Sequence, residues 1–255
     1  MMPKKDLKQK LRDKDEIICG FLRIPDPAVA EIMALAGVEL FIIDREHYIF
    51  DYETAQNIVR TAEIYGADCL VRITDTNHGE IGRLLDMGAT GVLLANTVNS
   101  EQVADLVQAV KYPPIGMRGA STDSRAGKYG YLLDDLATYP SVMNERTVIA
   151  TIIETKSAIA DLDAILAIPE VDVMSVGTLD LTFAFDVPGE SDNAEIVSVK
   201  KDIYQRIVAA GKTALDKAMT EEDVTAARSV GIKCIYVGSD TGLLKKGLDE
   251  IIGKL

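Results

Sequence analysis

Residues 39–47 read ELFIIDREH. Leu40 to Ile43 are apolar with no polar residue at alternate positions, the pattern of a parallel strand covered on both faces. The run then ends in Asp44-Arg45-Glu46-His47. A strand buried on both sides has no place for such a cluster unless its end opens onto a working face. In parallel α/β folds that face is the carboxyl end of the strands.

The same kind of run recurs on either side: IICGFLR (17–23), CLVRI (69–73), GVLLA (91–95), TVIATIIE (147–154), VDVMSVG (171–177), KTALD (212–216) and KCIYVG (233–238). Most are rich in Ile, Val and Leu and too short for good helices. Helical patterns lie between them: PAVAEIMALAG (27–37), YETAQNIVRTAEIYG (52–66), HGEIGRLLDMG (78–88), SEQVADLVQAVKYPP (100–114), TKSAIADLDAILAIPE (155–170) and TEEDVTAARSVG (220–231). Gly or Pro stops most of them, and Ser100 and Thr220 are N-cap types. Eight strands alternating with helices in 255 residues predict one α/β domain over 1–255, a (β/α)8 TIM barrel, with 1–15 as a charged N-terminal segment. An open doubly wound sheet is the alternative, weakened because no G-x-G-x-x-G follows the first run. The stretch 115–146 reads as a long loop over one face with a short helix.

Composition narrows the partners. Net charge is −13, which argues against nucleic acid. The start, MMPKKDLKQKLRDKDE, has no apolar core of a secretory signal. No apolar run approaches the ~20 residues of a membrane span. Cys19, Cys69 and Cys234 each lie in or beside an apolar run and read as buried and reduced, which suits the cytoplasm.

In a barrel, the strand ends gather Glu46 and His47, Arg72, Asn96, Glu154, Asp180, Asp216 and Lys217 on one rim. Glu154 and Asp180 follow neighbouring strands. Two carboxylates side by side repel unless a proton or cation separates them, and an oxygen-only pair suits Mg²⁺ or Mn²⁺. The plainer alternative has Glu154 capping a helix and Asp180 in a turn. Arg72, ending an apolar run, needs an anion from substrate or protein. His47 is placed for proton transfer or for a satisfied helix entry. His78 reads as structural or solvated, and the turn Gly238–Gly242 as an ordinary strand-to-helix turn rather than a phosphate site.

Together these residues resemble the HpcH/HpaI aldolase family over roughly 17–245. The matching segments are Asp44-Arg45-Glu46-His47 (D-x-E-H), Val71-Arg72, Leu84-Leu85-Asp86-Met87-Gly88, the Y-P-P-x-G-x-R-G of Tyr112 to Gly119, Ile153-Glu154-Thr155, and the G-x-x-D-L-[ST] of Gly177 to Thr182. The resemblance implies a pyruvate-type barrel. It implies a metal-dependent lyase cleaving 4-hydroxy-2-oxo acids to pyruvate, or a close 2-oxo acid, and an aldehyde. Glu154 and Asp180 would bind a divalent metal, Mg²⁺ or Mn²⁺ with Co²⁺ possible. Arg72 would hold the enolate oxygen, and His47, paired with Asp86 across neighbouring loops, would move a proton. Gly177, Thr178, Leu179 and Lys217 would contact substrate, with Asp44 and Glu46 behind them. It also implies a homo-oligomer, commonly a hexamer. The chain departs from the family at Arg45 (for Gly), Asn96 (for Pro), Ile152 (for Gln), Thr178 (for Pro) and Asp216-Lys217 (in a P-G-I stretch). A CoA-thioester lyase of the citrate lyase type, or a binding protein without turnover, are the other readings.

Overall fold

The computed structural model describes residues 5–131 and 137–254. Each apolar run is a strand. Helix α1 (Leu7–Asp13) precedes β1 (Ile17–Leu22), α2 (Pro27–Leu35), β2 (Leu40–Asp44), α3 (Tyr52–Ile64), β3 (Asp68–Ile73), α4 (His78–Asp86), β4 (Gly91–Leu94) and α5 (Ser100–Val110). Then come α6 (Tyr139–Arg146), β5 (Val148–Ile153), α7 (Lys156–Ala160), α8 (Leu162–Leu166), β6 (Val171–Val176), α9 (Thr178–Ala184) and α10 (Ala194–Ala209). The chain ends with β7 (Thr213–Lys217), α11 (Glu221–Ser229), β8 (Cys234–Ser239) and α12 (Asp240–Ile252). The strands pair in parallel in chain order, and β8 closes on β1. The sheet is therefore a closed (β/α)8 barrel, and the open doubly wound alternative is excluded.

Strand pleating divides the apolar residues into two cores. Phe41, Ile43, Val71, Ile149 and Ile153 point outward and pack under the helices. Ile17, Cys19, Phe21, Leu40, Ile42, Leu70, Val148, Ala150, Ile152, Leu215 and Cys234 fill the barrel interior. The period of two carries each inward series on to a polar residue at the carboxyl end. Leu40 and Ile42 lead to Asp44, Leu70 to Arg72, and Val148, Ala150 and Ile152 to Glu154. The mouth chemistry therefore follows from pleat parity.

Helix α1 closes the opposite end. Asp6 caps it by accepting from Gln9 N–H at 2.8 Å, and its Leu7 and Leu11 join the interior core. Lys8 pairs with Asp172 at 2.5 Å and Lys10 with Glu39 at 2.7 Å, tying α1 to the entries of β6 and β2. The predicted helix 155–170 is two short helices broken at Asp161, whose carboxylate accepts Ser100 N–H at 2.6 Å. Asn99, not Ser100, caps α5. Thr220 caps α11 in a reciprocal capping box with Asp223. All three cysteines are buried and free. No described helix is long and apolar enough to cross a membrane.

The stretch 115–146 runs over the far face of the barrel. It contains α6 as its short helix, while 132–136 fall outside the described residues. Because α5 runs from the mouth back to the far end of the barrel, the loop after it packs at that far end. Arg118 reaches Asp86 at 2.6 Å, and Ala126 N–H bonds Asp86 O at 3.1 Å.

Candidate active site

The mouth opens into a cavity of ≈ 910 Å³ lined by His47, Arg72, Glu154, Gly177, Thr178, Leu179, Asp180 and Lys217. Most of the residues expected to do chemistry thus share one space.

Glu154 is 2 % exposed. It does not cap a helix: Thr155 caps α7, and Glu154 Oε1 accepts Asn96 N–H at 2.5 Å. Its other oxygen, Oε2, is buried with no hydrogen-bond partner. Burial pushes the Glu154 carboxyl up to about 7, against the Asn96 hydrogen bond and with further help from the Asp180 charge. Asp180 lies in the first turn of α9, which Gly177 begins. A Cβ on Gly177 would overlap Glu154 Oε2, so only glycine leaves room for that carboxylate. A buried orphan oxygen facing a second acid is where an oxygen-seeking cation fits. No group of three or more His, Cys, Asp or Glu gathers among the described residues. Two such carboxylates could hold a divalent cation with substrate and water completing the shell.

Arg72 is 7 % exposed. Its Nη1 lies 3.5 Å from Asp44 Oδ2, its Nη2 contacts the Glu46 carboxylate, and its Nε is buried without a partner. The protein supplies its anions and still leaves a donor free. Asp44 is wholly buried and accepts the N–H of Glu46 and of His47 at 3.3 Å, so it shapes the turn that presents both. Glu46 Oε1 accepts from Asn96 Nδ2 at 2.9 Å, and His47 Nε2 is 3.7 Å from Glu46 Oε2. The His47 side chain is 58 % exposed in the loop after β2, so it is no helix-entry cap.

Asp86 corrects an expectation. It ends α4, a helix that runs away from the mouth, and it bonds Arg118 at 2.6 Å. Within one chain it therefore does not meet His47, whose acidic neighbour is Glu46.

The departures from the family pattern have physical consequences. Asn96 has φ 49°, which a proline ring cannot adopt, and its N–H is the Glu154 donor that proline lacks. Arg45 pairs with Glu80 and stacks on Tyr52 at 4.8 Å, outside the cavity lining. Asp216 is neutralised by Lys200 at 2.9 Å. Ile152 sits on the cavity floor. His78 meets Asp105 at 3.1 Å on the surface. In the Gly238–Gly242 turn, Ser239 caps α12 and Asp240 accepts the N–H of Arg23 and Ile24, an ordinary turn.

Sequence reasoning missed Arg23, Phe21 and Tyr236, which also line the cavity. The signal was present: Ile17, Cys19 and Phe21 point inward, so Arg23 continues their series.

The HpcH/HpaI aldolase/citrate lyase family matches residues 18–246. A hydroxypyruvate/pyruvate aldolase of Pseudomonas aeruginosa is 30% identical over 256 residues, covering 99% of this chain and 93% of its own. The crystal structure of an HpcH/HpaI aldolase from Desulfitobacterium hafniense DCB-2 superposes with TM-score 0.92 at 24% identity, covering 98% of this chain and 96% of that one. That of the citrate synthase SbnG does so with TM-score 0.88 at 25% identity, covering 98% and 96%. A full-length match, the closed barrel and the acids at its mouth agree: the chain belongs to the HpcH/HpaI aldolase/citrate lyase family and is a carbon–carbon lyase of the aldolase kind.

Proposed function

We propose that this chain is a divalent-metal-dependent aldolase that reversibly cleaves 4-hydroxy-2-oxo acids to pyruvate, or a close 2-oxo acid, and an aldehyde. The observation that carries the reading is the orphan Glu154 Oε2 buried in the same cavity as Asp180 and Arg72. Glu154 and Asp180 would hold the cation, Mg²⁺ or Mn²⁺ with Co²⁺ as an alternative. When bound it supplies Lewis acidity toward the oxygens of the 2-oxo acid.

The chain's own groups account for the rest. The unpartnered Arg72 Nε and its charge face the place where negative charge develops on the C2 oxygen. As the C3–C4 bond breaks, its electron pair passes to C3 and is spread onto that oxygen, while the 4-hydroxyl loses its proton and becomes the aldehyde. His47, exposed at the rim and backed by Glu46, is the group to accept that proton and to return one to C3. Asp44 holds Arg72 and the turn of His47 together, so proton carrier and oxyanion donor keep a fixed relation. Gly177, Thr178 and Leu179 present the start of α9 to the substrate carboxylate.

The test is proton exchange at the methyl group of pyruvate in D₂O, followed by NMR with Mg²⁺ and then with EDTA. Loss of the methyl signal only with Mg²⁺ is expected, and Glu154→Gln should abolish it. Full exchange in that variant, or none in a wild-type protein that binds Mg²⁺, refutes the reading.

The likeness to citrate synthase SbnG favours a second reading, carbon–carbon chemistry on a CoA thioester. Acetyl-CoA binding without pyruvate exchange would select it, and 2-oxo acid binding with no turnover at all would select a binding protein. We take the working form to be a cytoplasmic homo-oligomer, a hexamer in the family's manner, with the chain folding as one domain. The exposed Leu244, Leu248, Ile251 and Ile252 of α12 support self-association. Light scattering on the eluted protein tests it.

A further inference from the structure

We infer that Arg45 is a positioning residue for proton transfer at the mouth: with Glu80 it clasps the loop after β2 to α4 and so holds His47 over the cavity. The inference rests on the reading of His47 as the proton carrier.

Residues 45–50 follow β2 and lead to Asp51, the cap of α3. Among the described residues, 45–50 make no backbone-to-backbone hydrogen bond. The place of His47 therefore depends on side chains. Tyr48 and Phe50 pack against the outer core, but both come after it. Before it stand the two 3.3 Å bonds to Asp44 and the side chains of Arg45 and Glu46. Alternation sends those two to opposite sides. Glu46 turns toward the mouth, where its carboxylate meets Arg72 and accepts Asn96 Nδ2 at 2.9 Å. Arg45 leaves on the outer side and takes no part in lining the cavity of Glu154 and Asp180.

Arg45 makes three contacts there. Its Nε donates to Phe50 O at 3.3 Å, which closes the loop back on its first residue with His47 inside. Its Nη1 pairs with the Glu80 carboxylate, which ties that closed loop to α4. Its guanidinium lies 4.8 Å from the Tyr52 ring centroid, at the start of α3. Glu80 is a firm post. Its N–H is bonded to Asn77, the cap of α4, at 2.9 Å, and Ile81, Leu84 and Leu85 bury the helix beyond it. The same carboxylate accepts the Tyr52 hydroxyl and lies 3.5 Å from Arg83 Nη2, while Arg83 Nε donates to the Tyr52 hydroxyl at 3.2 Å. A lone exposed ion pair would hold little. Here the Arg45 and Glu80 side chains are only 20% and 26% exposed, and the pair belongs to a connected set that joins the loop, α3 and α4. His47 thus stands between an inner clamp through Glu46 and an outer one through Arg45. A proton carrier on a loop needs such support, because a small displacement from the reacting atoms is costly.

The test compares methyl exchange of pyruvate, at saturating Mg²⁺, in Arg45→Gln, Glu80→Gln and the double variant. Because neither side chain lines the cavity, KM for pyruvate should stay within about twofold while kcat falls about 10–100-fold. The double variant should be no slower than the slower single one, since each change breaks the same clasp. Arg45→Lys keeps a charge beside Glu80 and should recover most of the loss. A loss confined to KM, an unchanged kcat, or two single losses that multiply in the double variant overturns the inference. A second measurement needs no turnover: the imidazole Cε1–H signals, of which the chain has two, from His47 and His78. In Arg45→Gln the His47 signal should move or broaden, while that of His78, held by Asp105 at 3.1 Å, stays in place. An unmoved His47 signal overturns the inference. His47→Gln separates the two readings. Exchange lost in His47→Gln but unchanged in Arg45→Gln refutes the clasp alone, whereas undiminished exchange in His47→Gln refutes the proton carrier and, with it, the catalytic role given to Arg45.

Discussion

Glu154→Gln should change the pH dependence of folding by a calculable amount. In the metal-free protein, burial raises the Glu154 carboxyl to about 7 from its model-compound value of 4.5. Between those two values the native state keeps a proton that the unfolded chain has lost. The stability owed to this group is therefore fully present below pH 4.5 and falls as pH rises through 7. Each pH unit of that gap corresponds to about 1.4 kcal/mol, so ionising the buried group costs about 3 kcal/mol, of which about 2 to 3 kcal/mol is incurred between about pH 5 and 8. Glutamine keeps an oxygen for Asn96 N–H and has nothing to ionise. In EDTA, urea unfolding of wild type and variant should give a stability difference that shifts toward the variant by that amount from pH 5 to pH 8. Adding Mg²⁺ at pH 8 should then stabilise the wild type and leave the variant unmoved, because binding to the native state alone raises stability by mass action. Parallel pH profiles for the two proteins would refute the assignment of a raised carboxyl to Glu154. Equal Mg²⁺ responses would refute its role as a ligand.

Gly177→Ala places a Cβ on Glu154 Oε2. The φ of −77° suits alanine, so the backbone is not strained, and the expected result is a loss of Mg²⁺-dependent pyruvate exchange of about 10–100-fold with a native circular dichroism spectrum. Asp44→Asn leaves the guanidiniums of Arg72 and Arg23 without their shared, wholly buried charge. It should cost about 3–5 kcal/mol in urea unfolding, and a change under 1 kcal/mol would contradict the structure. Leu11→Ala opens a gap in the plug at the far end of the barrel, where Leu11 is 6 % exposed. Destabilisation of about 2–5 kcal/mol is expected, with exchange activity per folded molecule unaltered because the mouth lies at the other end.

The barrel was legible because its strands are parallel and buried on both faces. Runs such as Leu40 to Ile43 and Val148 to Ile153 could not be surface elements, and Gly or Pro punctuated most of the helices between them. What the pattern did not disclose was polar or mixed. Residues 7–13 look like a charged tail, yet Leu7 and Leu11, four apart, supply enough apolar face to plug the barrel floor. Helix α10 carries Ile196, Ile203, Tyr204 and Ile207 inward among lysines and β-branched residues that blur its period. Helix α12 leaves most of its leucines and isoleucines exposed, so it lacks a clear buried stripe. The break at Asp161 depends on a bond to Ser100, sixty-one residues away, which no local pattern encodes.

The candidate site shows a different limit. Strand-end carboxylates and Arg72 could be placed on one rim by parity alone, because an inward series fixes where its last member points. Partners could not be assigned that way. Asp86 resembles a proton-relay residue, but its helix carries it to the far end of the barrel, where Arg118 binds it. Asn96 replaces a proline and looks like a loss, yet its left-handed backbone and its N–H are what hold Glu154. Arg23 lies one position beyond the last residue of β1, where a charge passes for the start of a loop. Parity ranks it with Asp44, Arg72 and Glu154 all the same: each follows an inward apolar residue two positions earlier, Phe21, Ile42, Leu70 and Ile152. A polar residue in that relation to an interior position points into the mouth of a parallel barrel whether or not any motif contains it. Arg23 and Lys217 enter the site by the same rule as Asp44 and Glu154, Lys217 following the interior Leu215 two positions on.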